Sequence, residues 1–189
     1  MRQAVARTLE TGSRLRKREF ADQADFDRFL VEARLPGNVS LGLSGAFAHA
    51  AAAARGVPLY AYFGKGRALP RPMVNLLSGG LHGGGNMPIQ DILVVPLQAG
   101  SFAEAIEIVW RVYHSARARV GPRFDYNPHW VADEGGFAPR FRCVEEALDF
   151  AVEAIEKADL RPGAAVGLAL DVAASHAEGI GIEALERWV

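Results

Sequence analysis

Hydrophobic positions recur with two different periods along this chain. From Met1 to about Gly64 they fall at helical spacing. Val5 and Leu9 mark a first amphipathic helix, and Phe26, Phe29 and Leu30 make the apolar stripe of a second. Leu41 to Arg55, dense in alanine and other small residues, predicts a third helix lying buried against its neighbours and stopped by Gly56 and Pro58. The segment Lys65-Gly-Arg-Ala-Leu-Pro-Arg-Pro predicts a linker, because two prolines and a glycine leave little regular backbone pairing. Beyond it the pattern shortens. Met73 to Leu77 and Ile92 to Leu97 are apolar runs bounded by glycine or proline, which predicts buried strands, with Ser78-Gly-Gly-Leu-His-Gly-Gly-Gly-Asn as a loop between them.

Ser101-Phe-Ala-Glu104 has the spacing of a capping box, and Phe102, Ile106, Val109, Trp110 and Tyr113 then predict one apolar helix face, with Glu107 and Arg111 paired on the opposite side. Val144, Leu148, Ala151 and Ile155 predict the next helix, with Glu146, Asp149, Glu153 and Glu156 toward water. Ala165 to Leu170 reads as a strand with Asp171 at its C-terminal end, and Ile182 to Val189 starts another helix. The order strand, strand, helix, helix, strand, helix predicts an α/β sheet or barrel whose loops at the strand ends carry function. The organisation expected is a helical region over 1–64 and an α/β region over 65–189.

Composition narrows the classes. Half of the 189 residues are hydrophobic and 23% are charged, enough to bury a core and not the signature of disorder. Lys plus Arg total 21 against 22 for Asp plus Glu, so no strong field recruits nucleic acid or anionic lipid. Cys143 is the only cysteine, which excludes an intramolecular disulfide and suits a reducing, cytoplasmic compartment. The alanine-rich stretch around Gly45 to Ala54 is too short to span a membrane. Arg2, Arg7, Arg14, Arg16, Lys17 and Arg18 make a basic start, but Glu10 and Glu19 interrupt it, so it reads as a solvated helix face and not as a signal or transit segment.

Four features could carry chemistry, and each also has an ordinary structural use. The glycine-rich loop bearing His82 could turn its backbone N–H groups on an anion, or simply be a turn with a solvated imidazole. Asp91, entering a strand, could act as acid, base or ligand. In Asp133-Glu134-Gly-Gly a carboxylate beside two glycines can be held close to a substrate, with burial tuning its acidity. Asp171 would point from the rim of a barrel, where a hard cation could bind.

Several of these features lie in blocks that resemble enolase. The stretches Leu69-Pro-Arg-Pro-Met-Val-Asn-Leu-Leu-Ser-Gly-Gly-Leu-His82, Ile89-Gln90-Asp91, Asp133-Glu-Gly-Gly-Phe-Ala-Pro139 and Ala169-Leu-Asp-Val-Ala-Ala-Ser175 occur in that family's order and at similar spacings. Leu41-Gly-Leu-Ser-Gly-Ala and Val57-Pro-Leu-Tyr-Ala-Tyr-Phe-Gly64 resemble the last helical part of the family's N-terminal domain. The resemblance implies part of an enolase-type TIM barrel preceded by that helical remainder, and a cytoplasmic lyase of glycolysis that interconverts 2-phosphoglycerate and phosphoenolpyruvate with magnesium. It implies Glu134 as general acid, His82, Gln90 and Asp91 as groups contacting substrate, and Asp171 as the first of three carboxylate ligands to Mg2+.

Departures from the pattern carry their own expectations. Asp91 stands where the family has glutamate, a reach shorter by about 1.3 Å, enough to disturb a positioned hydrogen bond. The Gly-Gly-Gly-Asn run after His82 is expected to be more flexible than the family's loop. The family's mobile serine loop, its lysine base and two further metal carboxylates have no counterpart here, and the 121 residues from Leu69 to Val189 compare with the roughly 250 of a closed barrel. A partial barrel is expected to leave one strand edge unpaired and interior side chains exposed. Three classes therefore stay open: an enolase-type lyase present in part, a non-catalytic enolase-like chain that pairs with itself or with a complementing polypeptide, and a phosphate-ester binding module.

Overall fold

Three short strands and two long helices carry most of the buried surface. The computed structural model describes residues 2–16, 18–64, 66, 68–174 and 179–188. Lys17 of the basic start, Lys65 and Arg67 of the linker, Ser175 of the last enolase-like block and Val189 of the final helix lie outside the described residues. The chain divides into two units, Met1–Ala68 and Leu69–Val189.

The first unit is helical: α1 (Arg2–Leu15), α2 (Gln23–Glu32), α3 (Gly37–Ala54) and the short α4 (Leu59–Phe63). Asp22 caps α2, its carboxylate accepting from the Asp25 N–H at 2.8 Å, which satisfies one of the donors a helix start leaves unpaired. Phe26 and Leu30 are buried as the stripe predicts, and the Phe26 ring stacks on Phe47 of α3 at 4.3 Å. The expectation that α3 is buried along its length is not met. Only Val39, Ala48 and Ala52 are buried and Leu41 is 76% exposed. High alanine content makes a good helix whatever surrounds it, so it cannot by itself report burial.

In the second unit β1 (Val74–Ser78), β2 (Asp91–Pro96) and β3 (Val166–Asp171) form one sheet in the order β1-β2-β3, antiparallel throughout. Between them run α5 (Phe102–Phe124) and α6 (Val144–Glu156), and α7 (Ile182–Trp188) follows. The architecture is thus mixed α/β, and the sheet has three strands among the described residues. Period-2 alternation sends Ile92 and Val94 of β2 into the core beneath α5 and α6, while Asp91, Leu93 and Val95 face the other way. Leu168 and Leu170 pair with Val94 and Ile92 and join the core side. The opposite face is polar at one end and small at the other, where Ala169 and Gly167 lie across from Leu93 and Val95. Both Leu93 and Val95 are only half-buried.

α5 starts at Ser101, whose hydroxyl accepts from the Glu104 N–H at 3.2 Å. Its predicted face is rotated. Ala105, Ile108, Val109, Val112, Ala116 and Val120 are buried, whereas Phe102, Ile106 and Trp110 are 53%, 43% and 59% exposed. The helix carries two apolar stripes, and the one with smaller side chains fits the close approach to the sheet and α6. On α6, Val144, Ala147, Phe150, Ala151, Ala154 and Ile155 are buried; full burial of a side chain such as Phe150 contributes about 1.5–3 kcal/mol.

Candidate functional site

Register assembles the floor of the site. Asp91 pairs with Ser78 on one side and with Asp171 on the other, so the three side chains form a row across the strands on the face away from α5 and α6. A bulge at Leu76 shifts the pairing between Asn75 and Leu77 and brings Asn75 beside the same row. Asp91 is 1% exposed, and a buried carboxylate must be satisfied. Asn75 Nδ2 donates to its Oδ1 at 2.5 Å, the Ser78 hydroxyl to the same oxygen at 3.0 Å, and Gln90 Nε2 to Oδ2 at 3.0 Å. The Gln90 amide also donates to Asp171 Oδ2 at 3.2 Å, linking the two carboxylates. Asp171 is exposed, and its Oδ1 accepts from the Ala173 N–H at 2.9 Å.

The shorter reach of Asp91 therefore has a definite outcome: its carboxylate is drawn into this network and not extended beyond it. Asn75 and Ser78 were given no role by sequence reasoning. The signal that could have found them is a polar residue inside the apolar run Val74 to Leu77, since a buried amide demands partners.

Two loops close over the floor. The His82 loop is tied by its own backbone: Gly79 N–H donates to Gln90 O at 2.6 Å, Gly80 N–H to Met87 O at 2.8 Å, and Gly83 N–H to Gly79 O at 2.7 Å. Asn86 Nδ2 adds bonds to Ser78 O at 3.0 Å and Pro139 O at 2.8 Å. Side-chain and backbone bonds thus tie the Gly-Gly-Gly-Asn loop at both ends. The Glu134 loop leans on β1, with Ser78 N–H donating to Phe137 O and Phe137 N–H to Leu76 O, each at 2.9 Å. Its turn needs two glycines for different reasons. Gly135 has φ +83°, a left-handed backbone. A Cβ on Gly136 would stand 2.6 Å from both Asn75 Oδ1 and Ser78 Oγ.

These loops bring His82 Nδ1 to 3.5 Å from Glu134 Oε1. Ligand atoms of His82, Asp91 and Glu134 all lie within 4.8 Å of one another. Glu134 is not buried, its side chain being 47% exposed, so the burial expected of it is absent. Gln90 lies at the edge of the cluster through Asp91, and Asp171 joins through Gln90. The arrangement sets an imidazole and a carboxylate, His82 and Glu134, side by side next to the buried Asp91 carboxylate.

Its fit to a metal differs between the two ends. One imidazole and two carboxylates are not the all-oxygen set that magnesium prefers, and Asp91 already accepts three hydrogen bonds. Asp171 has an exposed carboxylate with one donor on each oxygen, which leaves lone pairs for a hard cation. Among the described residues, no helix is long and apolar enough to cross a membrane. Residues 66–179 match a known protein family, described as Enolase, C-terminal TIM barrel domain.

Proposed function

The chain belongs to the enolase C-terminal TIM barrel domain family, and from that premise we propose that it supplies the acid and substrate-contacting side of an enolase-type site acting on 2-phosphoglycerate. In the reversible dehydration to phosphoenolpyruvate, a base removes the proton beside the substrate carboxylate and an acid protonates the departing hydroxyl as water. Glu134 is the proposed acid, His82 the neighbour that holds its proton, and Gln90 the amide presented to substrate over Asp91. Asp171 is proposed as one ligand of Mg2+, which when bound neutralises the charge of an enolate. The observation that carries this reading is the convergence of His82, Asp91 and Glu134, from three separate segments, within 4.8 Å.

The family's lysine base is not part of this constellation. Lys17 and Lys65 lie outside the described residues, and Lys157 forms the C-terminal cap of α6. The base and remaining ligands are therefore proposed to come from another segment or polypeptide. Titration of the full chain with 2-phosphoglycerate, followed by phosphorus magnetic resonance, tests the reading. Saturable binding on the order of millimolar, weakened several-fold in both His82→Gln and Glu134→Gln, is expected. No saturable binding, or binding that both variants leave unchanged, refutes it.

A second reading, a partner-binding enolase-like chain that forms a homo-oligomer or joins a complementing polypeptide, is favoured by one observation. Phe102, Ile106 and Trp110 make an exposed apolar stripe along α5. Sedimentation equilibrium showing a monomer at high micromolar concentration, with no association on adding a full-length enolase, removes that reading.

A further inference from the structure

Glu134 stands on an irregular turn with its side chain 47% exposed. The turn closes on itself through Ala132 N–H to Gly136 O and Gly135 N–H to Ala132 O, each at 2.9 Å. Two side chains outside the chemistry grip what flanks it. The Tyr113 hydroxyl, projecting from α5, donates to Gly135 O at 2.8 Å, and the Tyr113 ring lies 4.6 Å from that of Phe137. Asn86 spends both hydrogens of its amide on carbonyls of different segments, Ser78 O at the end of β1 and Pro139 O beyond the Glu134 turn.

We propose that Asn86 and Tyr113 are positioning residues that fix the Glu134 carboxylate against His82, a role resting on the reading of that pair as the substrate-facing groups. The geometry assigns them different parts. Tyr113 holds the carbonyl immediately after Glu134, so it sets the height of the turn above the sheet. Asn86 sits four residues after His82 in the His82 loop and ties that loop to the strand end and to the Glu134 segment at once, so it sets the separation of the two loops. Burial raises the Tyr113 phenol above its ordinary value, with Arg117 opposing and Tyr126 adding, so the hydroxyl is a donor throughout the neutral range.

Two near-isosteric substitutions separate this role from bulk. Tyr113→Phe removes one oxygen and keeps the ring on Phe137, while Asn86→Asp keeps the shape and removes both donors. Ring resonances of His82 in histidine-labelled full chain, at one constant pH, report the Glu134 carboxylate beside it; Glu134→Gln defines the signal with that charge gone, and His49 in the first unit is the control. Both variants are expected to move the His82 signals part of the way toward those of Glu134→Gln, and to raise amide exchange across 132–139 about tenfold, with His49 unmoved. His82 signals that coincide with wild type in Tyr113→Phe and Asn86→Asp, or that do not respond to Glu134→Gln, overturn the proposal. Should Asn86→Asp fail to fold, Tyr113→Phe carries the same comparison alone. Moved His82 signals without any 2-phosphoglycerate binding by wild type would sink the substrate reading while leaving the positioning role intact.

Discussion

Replacing Asp91 by alanine removes the acceptor on which three side chains converge. Asn75 is 7% exposed, Ser78 fully buried and Gln90 8% exposed, so none can turn to bulk water. Gln90 keeps Asp171 at 3.2 Å and Asn75 Nδ2 keeps the Ser78 hydroxyl oxygen at 2.9 Å, which leaves the Ser78 O–H as the donor that loses its acceptor. A buried donor without its partner costs about 1–3 kcal/mol, and charge-assisted bonds stand at the upper end. Relief from burying one carboxylate offsets part of the sum. The net loss expected is about 1–2 kcal/mol, a sizeable share of the roughly 5–15 kcal/mol typical of a domain. At about 4 °C per kcal/mol for a unit of this size, the melting temperature of the second unit falls by roughly 4–8 °C. Asp91→Asn should fall by about half as much, because one oxygen still serves Asn75 and Ser78. Differential scanning calorimetry on the full chain reads both values. A melting temperature for Asp91→Ala within about 2 °C of wild type would refute the idea that Asp91 holds the strand ends together.

Gly136→Ala puts a methyl 2.6 Å from Asn75 Oδ1 and Ser78 Oγ; a destabilisation of about 1–3 kcal/mol is expected by chemical denaturation, and an unchanged midpoint would show that the loop yields freely. With Asp171 as the one proposed carboxylate ligand, calorimetry should find magnesium binding weaker than about millimolar, and a tight stoichiometric site lost in Asp171→Ala would contradict this. The 189-residue chain by itself should not convert 2-phosphoglycerate to phosphoenolpyruvate above background in a coupled assay, since among the described residues the proposed acid has no lysine base opposite it; turnover abolished by Glu134→Gln would overturn that. Because the folded Tyr113 phenol holds its proton more tightly than the unfolded one, its contribution to stability is present below pH of about 10 and lost as pH rises through the higher folded value. Alkaline melts should be steeper in wild type than in Tyr113→Phe, and identical curves would remove this linkage.

Local pattern carried the elements of this protein a long way. Apolar runs bounded by glycine and proline placed Val74–Ser78, Asp91–Pro96 and Val166–Asp171 within about one residue, because a short buried strand must be both hydrophobic and punctuated. Ser101 announced a helix start through capping chemistry that involves only near neighbours. His82, Asp91, Glu134 and Asp171 were likewise visible as residue types in recognisable blocks. Tertiary structure alone decided what surrounds them. Two apolar stripes on α5 satisfy the same helical period, and only the space available against the sheet and α6 selects Val109 and Val112 over Ile106 and Trp110. The alanines of α3 specify a helix but not its burial. Asp91 reads in sequence as a shortened acid, yet its fate rests on a bulge at Leu76 that swings Asn75 alongside and on a register that sets it between Ser78 and Asp171. Asn86 and Tyr113 gain their parts through bonds to Pro139 and Gly135, 53 and 22 residues away. Such contacts depend on where the chain returns after a loop, which no local periodicity encodes.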